Sequence, residues 1–131
     1  MGLTVADILE AICDARALDI YKTIALAKPN SEILITKMQL TRKQYYSIMS
    51  RLMKTGLVKR ESGKYILTSF GKVIYNVQTT IETALENFWK LKAIDSLEAA
   101  DDRLPKEEKA KVFDTLIHNE KIKQVILARI S

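Results

Sequence analysis

Apolar residues along this chain recur mainly three and four apart, the spacing of helices with one dry face, and only one stretch shortens to the alternation of strands. Val5, Ile8, Leu9 and Ile12 mark a first helix, opened by Thr4 with Asp7 three residues on. A break near Asp14-Ala15-Arg16 leads into "ALDIYKTIALAK", a second helix with Leu18, Tyr21, Ile24 and Ala25 inward that ends at Pro29-Asn30-Ser31. Asn30 or Ser31 caps a short third helix through Lys37, with Ile33 and Leu34 buried.

After a turn at Met38-Gln39-Leu40, the stretch "LTRKQYYSIMSRLMKTGLV" has legible ends. Thr41 and Gln44 form a T-x-x-Q capping box, each side chain satisfying the other residue's backbone N–H. Gly56 is placed to take positive φ just past the last turn, and Leu57 to fold back onto it in a Schellman ending. Tyr45, Ile48, Met49 and Leu52 belong to the dry face of this helix, and Tyr46 to the wet one.

"LVKRESGKYILT" alternates as two short strands, Leu57 to Arg60 and Lys64 to Leu67, around the turn Glu61-Ser62-Gly63. An isolated hairpin is marginal, so its apolar side (Leu57, Tyr65, Leu67) must lie on the helices. Thr68 or Ser69 caps a long helix to about Leu97, along which Ile74, Val77, Ile81, Ala84, Phe88 and Leu91 form a heptad seam. "EAADDRLP" breaks it, and Pro105 starts another helix with a stripe of Val112, Phe113, Leu116 and Ile117. Asn119 caps a last helix with Ile122, Val125, Ile126 and Ile130 inward. The expectation is a mostly α fold with one small β-hairpin.

Composition adds limits. At 131 residues and 47% hydrophobic, the chain can build a real core, and its four Gly and two Pro argue against an all-β fold. One cysteine, Cys13, and one histidine, His118, cannot assemble a disulfide framework or a Cys/His zinc set. The N-terminus carries acids among its apolar residues, unlike a signal peptide, and no apolar run approaches a membrane span, so a cytoplasmic protein with no membrane partner is expected. Cys13 is expected in the core, His118 at the surface, and Trp89 beside Phe88 in a core or interface. No nucleophile–base pair can be drawn, and "GLVKRESGKY" only superficially resembles a phosphate-binding loop, because Tyr65 stands where Ser or Thr must hold magnesium. No enzyme activity and no cofactor are expected.

Charge changes the picture most. The net charge is +5, yet residues 37–75 hold 9 basic and 1 acidic side chains (+8), against −2 for residues 1–36 and −1 for residues 76–131. A local step of this kind is the electrostatic footprint of a polyanion-binding face. Three helices, a two-stranded hairpin and a further helix, in that order, are the parts of a winged helix-turn-helix. In that arrangement Arg42, Lys43, Gln44, Tyr46, Ser47 and Ser50 are candidates for contact with DNA bases or phosphates, with Gln44 chiefly spent on the capping box. Arg51 and Lys54 are candidates for phosphate contact, and Lys59, Arg60 and Lys64 would set the wing on the DNA backbone.

The segment "LTRKQYYSIMSRLMKTGLVKRESGKYILTSFGK" also resembles the core of archaeal winged helix-turn-helix transcriptional regulators, similar to the ArsR-like and MarR-like groups. The resemblance rests on the leucine and hydroxyl residue that open the helix, on "GLV" after it, on a short wing, and on "YxLTxxG" at Tyr65, Leu67, Thr68 and Gly71. It covers about residues 5–75 and implies a homodimeric DNA-binding repressor or activator. ArsR-type metal sensors carry Cys or His clusters, which this chain lacks. Residues 1–68 are thus expected to form a DNA-binding domain. Residues 69–131 are expected to serve dimerisation, through Ile74 to Leu91, or to hold a protein partner through the last helices. Two other readings fit the same pattern: a winged-helix protein-interaction module, and a nonspecific architectural DNA-binding protein.

Overall fold

Thr4, Asp14, Asn30, Thr41, Thr68 and Asn119 each accept a backbone N–H three residues ahead, so six helix starts in the computed structural model are set by the local sequence. The structure describes residues 2–99 and 106–127, without the side chains of residues 98, 99, 106 and 109. The expected break at residues 100–105, with Pro105 as a helix start, and the inward Ile130 lie outside the described residues. The described residues are mostly helical with one two-stranded antiparallel sheet. They divide into two units, one running to Asn76 and the other from Val77.

In the first unit, α1 (Val5–Ala11) is closed by a full Thr4/Asp7 capping box. It buries Ile8 and Ala11, while Val5 and Leu9 are exposed, contrary to the four-residue stripe expected. A helix of two turns has one narrow contact line, and i, i+3 along Ile8 and Ala11 uses it up. Cys13 is likewise exposed rather than in the core, because it sits in the turn just before the Asp14 cap. Helix α2 (Ala15–Ala27) buries Ala17, Ile20, Tyr21 and Ile24, a 3-1-3 rhythm in which Ile20 replaces Leu18 at the centre. Helix α3 (Ser31–Met38), capped by Asn30, buries Leu34; Ile33, expected beside it, points 100° away and is exposed.

Helix α4 (Arg42–Lys54) buries Tyr45, Ile48, Met49 and Leu52. Its end is a complete Schellman motif: the Leu57 N–H donates to the Leu52 carbonyl at 3.1 Å, the Gly56 N–H donates to Met53 at 3.1 Å, and Gly56 has φ +76°. Strands β1 (Val58–Glu61) and β2 (Lys64–Leu67) pair in antiparallel register, Val58 with Leu67 and Arg60 with Tyr65. Ser62 (φ 52°) and Gly63 (φ +77°) make the two-residue turn between them, both in the left-handed region that a type I′ turn requires. The Tyr65 N–H donates to the Pro29 carbonyl at 3.0 Å, which ties the hairpin to the α2–α3 connection. Buried Leu57, Val58, Tyr65 and Leu67 join the helical residues in one core.

Helix α5 (Ser69–Glu86) starts on Thr68, whose hydroxyl accepts the Gly71 N–H at 2.9 Å and donates to the Gly56 carbonyl. Gly71 is needed here for space: a Cβ on it would lie 2.0 Å from the Leu57 carbonyl oxygen. The Tyr21 hydroxyl closes the same corner by donating to the Gly71 carbonyl.

The single helix expected to reach Leu97 is instead two, α5 and α6 (Phe88–Ala99), separated at Asn87. The Thr83 hydroxyl bonds the Thr79 carbonyl at 2.9 Å, and the Asn87 amide bonds the Thr83 carbonyl at 2.8 Å. Side chains bonding the preceding turn compete with the backbone ladder and bend helices. In the second unit α7 (Lys106–Leu116) and α8 (Glu120–Leu127) pack with α6 around Ile94, Phe113, Ile117 and Ile122. Val125, expected inward, is exposed, because the two turns of α8 seat only Ile122 and Ile126. Lys123 bridges α8 to α7 through Asp114 at 3.0 Å.

Candidate nucleic-acid interface

Because four inward residues anchor α4, its remaining side chains are placed on a fixed outward face. Lys43, Tyr46, Ser47, Ser50 and Lys54 follow at i, i+3, i+4, i+7 and i+11, all exposed, with Arg42 at one edge and Gln44 and Arg51 at the other. Between Glu32 and Glu61 the chain has seven Lys or Arg and no acid, so nothing within this stretch neutralises that face.

The helix is also fixed in rotation. The Tyr45 hydroxyl donates to the Ser31 hydroxyl at 3.0 Å, and that hydroxyl donates to Tyr65 at 3.3 Å. This relay links α4, α3 and β2. Burial pushes the Tyr45 phenol up from its ordinary range, which keeps it a neutral donor. Tyr46 packs edge-on against Tyr45, ring centroids 5.2 Å apart, and is itself exposed.

The expected contact residues separate into two groups. Arg42, Lys43, Tyr46, Ser47, Ser50 and Lys54 are exposed together on one helix, as expected. Gln44 is spent as expected, its oxygen accepting the Thr41 N–H at 3.1 Å. Arg51 is half-buried and held by Asp14 at 3.3 Å. On the hairpin, Lys59 meets Glu61 at 3.5 Å, the Arg60 guanidinium lies 5.8 Å from the centre of the Tyr65 ring, and exposed Lys64 stands opposite Glu61 in register. The hairpin cations thus have neighbours within the chain, while those of α4, Arg51 apart, face outward.

A groove of about 580 Å³ lies beside this face, lined by Asp14, Ala15, Arg16, Lys43, Gln44, Ser47, Ile48 and Arg51. Arg16 was missed from the sequence, because it belongs to a stretch whose charge sums to −2. Its one local signal was its place two residues past the Asp14 cap, in the first turn of a helix. The Ala17 N–H donated to Asp14, with the Arg51 guanidinium beside it, holds that carboxyl below its ordinary range against the opposing effect of burial.

The six seam residues part company. Ile74 packs on the first core; Ala84 and Leu91 pack on the second. Val77, Ile81 and Phe88 are exposed, as are Val73 (64%) and Leu85 (67%), which the heptad reading missed. Val73, Val77, Ile81 and Leu85 are four apart, a ridge along α5 rather than an alternating seam. Trp89 is 76% exposed, with the Lys92 ammonium 5.6 Å from its ring centre.

No family model, curated protein or solved structure matches the chain. Among the described residues, no group of three His, Cys, Asp or Glu is placed to hold a metal ion. No helix among them is long and apolar enough to cross a membrane.

Proposed function

We propose that this chain is a sequence-specific, double-stranded DNA-binding transcriptional regulator built as a winged helix-turn-helix. Helices α3 and α4 are the helix pair, residues 41–55 enter the major groove, and the hairpin at 57–67 lies on the backbone as a short wing. The observation that carries this reading is the two-faced α4, anchored by Tyr45, Ile48, Met49 and Leu52, with an outward face of cations, hydroxyls and one tyrosine free of acids. A face kept wet only for solubility mixes both signs. A helix ~10–12 Å across fits the B-DNA major groove, ~12 Å wide. Arg and Lys suit guanine edges and Ser either base type, while the Lys and Arg of the wing suit phosphates.

Two copies joined through the exposed ridge of α5 would hold two such helices at a fixed spacing and read half-sites about one helical turn (~34 Å) apart or a multiple of it. The exposed apolar side chains of α5 and α6 also favour a second reading, a protein-interaction module. Selection of bound sequences from a random DNA pool at near-physiological salt separates the readings. A palindromic winner bound at least ~10³-fold tighter than scrambled DNA is expected of a dimeric regulator. Uniform weak affinity would make the protein an architectural binder, and no binding would leave the interaction module.

A further inference from the structure

Asp14 holds two donors at once: the Ala17 N–H at 2.8 Å and Nη2 of Arg51 at 3.3 Å. A backbone donor at a helix start and a guanidinium are donors that a bound phosphate also collects. An internal carboxylate therefore sits where an outside anion would be welcome, at the end of a groove whose walls carry Arg16 and Lys43. Arg51 is underused in this arrangement. Among the described residues, its guanidinium makes a single hydrogen bond, to Asp14, and its Nε is buried with no partner. Arginine binds phosphate through two parallel N–H donors, so one bond leaves this side chain short of what it can give.

We propose that the groove seats a phosphodiester of the DNA backbone, and that Asp14 occupies Arg51 until DNA takes the guanidinium over. The proposal rests on the DNA-binding reading above and adds to it a contact outside α4, at the start of α2, together with a built-in competitor that tempers affinity. Asp14 keeps its helix-capping bond to Ala17 throughout; only its hold on Arg51 is exchanged. The Arg51 head then turns out of its present position, which brings Nε out of its dry, unbonded site and into the groove.

The test uses the full chain and a fixed 20-base-pair duplex, with affinity measured across a salt series. Asp14→Asn keeps an N-cap side chain but removes the charge, and a thermal melt checks that it folds. It is expected to bind about two- to fivefold more tightly at low salt, the worth of one exposed ion pair. Asp19→Asn, which removes the same charge from an exposed site on α2 outside the groove, is the control and should gain less than twofold. The gain should vanish when Asp14→Asn is made on an Arg51→Gln background. Arg16→Gln should weaken all sequences alike and lower the salt slope by about 0.9, one phosphate.

Equal gains from Asp14→Asn and Asp19→Asn, or a gain that survives loss of Arg51, would overturn the exchange while leaving DNA binding intact. An unchanged salt slope for Arg16→Gln would remove the phosphate seat. Absence of DNA binding by the wild type and every variant would overturn the DNA-binding reading and this inference together.

Discussion

Gly71 shows how one residue can matter through what it lacks. Inside a helix, Gly→Ala ordinarily gains about 1 kcal/mol of helix propensity. Here the added Cβ would meet the Leu57 carbonyl oxygen at 2.0 Å, a backbone atom that cannot swing aside. Overpacking of this kind costs ~1–3 kcal/mol or more, so Gly71→Ala is expected to lose at least ~2 kcal/mol in a denaturant titration. Stability equal to or above wild type would show that α5 can move off the hairpin freely. Asp14 sets a pH dependence whose sign follows from its depressed folded pKa. Its contribution is present above the ordinary carboxylate range, above about pH 4, and is lost as pH falls through the lower folded value. At an exposed site this amounts to less than ~1 kcal/mol. The stability gap between wild type and Asp14→Asn should thus close on acidification from pH 6 to pH 2; a gap that widened would reverse the assignment. On the proposed DNA-binding reading, Arg42→Ala should lower affinity and relax base preference, because Arg42 opens α4 and is exposed where the proposal puts a base edge. Lys64→Ala should weaken preferred and random DNA alike. Equal losses from both variants on both DNAs would remove direct readout from α4.

At the scale of the element, α4 is held in register at both ends. The Thr41/Gln44 box fixes its start and the Gly56 Schellman turn fixes its stop, while its buried face and the Tyr45–Ser31–Tyr65 relay set the rotation that places Lys43, Tyr46, Ser47 and Ser50 outward. Gly56 differs from Gly71 in having open space around it; its requirement is its φ of +76°. Gly56→Ala should therefore cost about 1–2 kcal/mol, the left-handed penalty alone, and Gly56→Asn should recover part of it. No difference between the Ala and Asn variants would show that the turn does not depend on the left-handed conformation. The interruption at Asn87 shows the same logic in reverse. Two side chains that bond back to the preceding turn, Thr83 and Asn87, divide a segment whose apolar spacing reads as continuous.

For the whole molecule, the decisive feature is the exposed ridge Val73, Val77, Ile81 and Leu85 on α5. Exposed apolar rows of this kind mark contact surfaces, and the proposed dimer places it against a second copy. Ile81, 54% exposed, is in neither core, so Ile81→Glu should leave the fold standing, turn dimers into monomers by light scattering, and weaken binding to a two-half-site operator. A wild type that is monomeric at tens of micromolar would end the dimer model.

The caps at Thr4, Thr41 and Asn119, the Schellman stop, the presence of the hairpin and the assignment of Tyr45 inward and Tyr46 outward were legible in the sequence, because each is decided within about one turn of chain; the hairpin turn, expected as Glu61-Ser62-Gly63, is Ser62-Gly63 alone, because Glu61 pairs with Lys64 in β1. The basic face of α4 was legible for the same reason, since its anchors and its wet residues alternate on one helix. Tertiary structure decided what depends on distant partners. Which of Val5, Leu9, Ile33 and Val125 stayed wet depended on how much of each short helix a neighbour could cover. The split of the heptad residues between two cores followed from where the other helices packed, which spacing along one helix cannot encode. The meeting of Asp14, Arg16 and Arg51 across 37 residues of chain could not be read from charge sums, because it forms only when α2 and α4 are brought together.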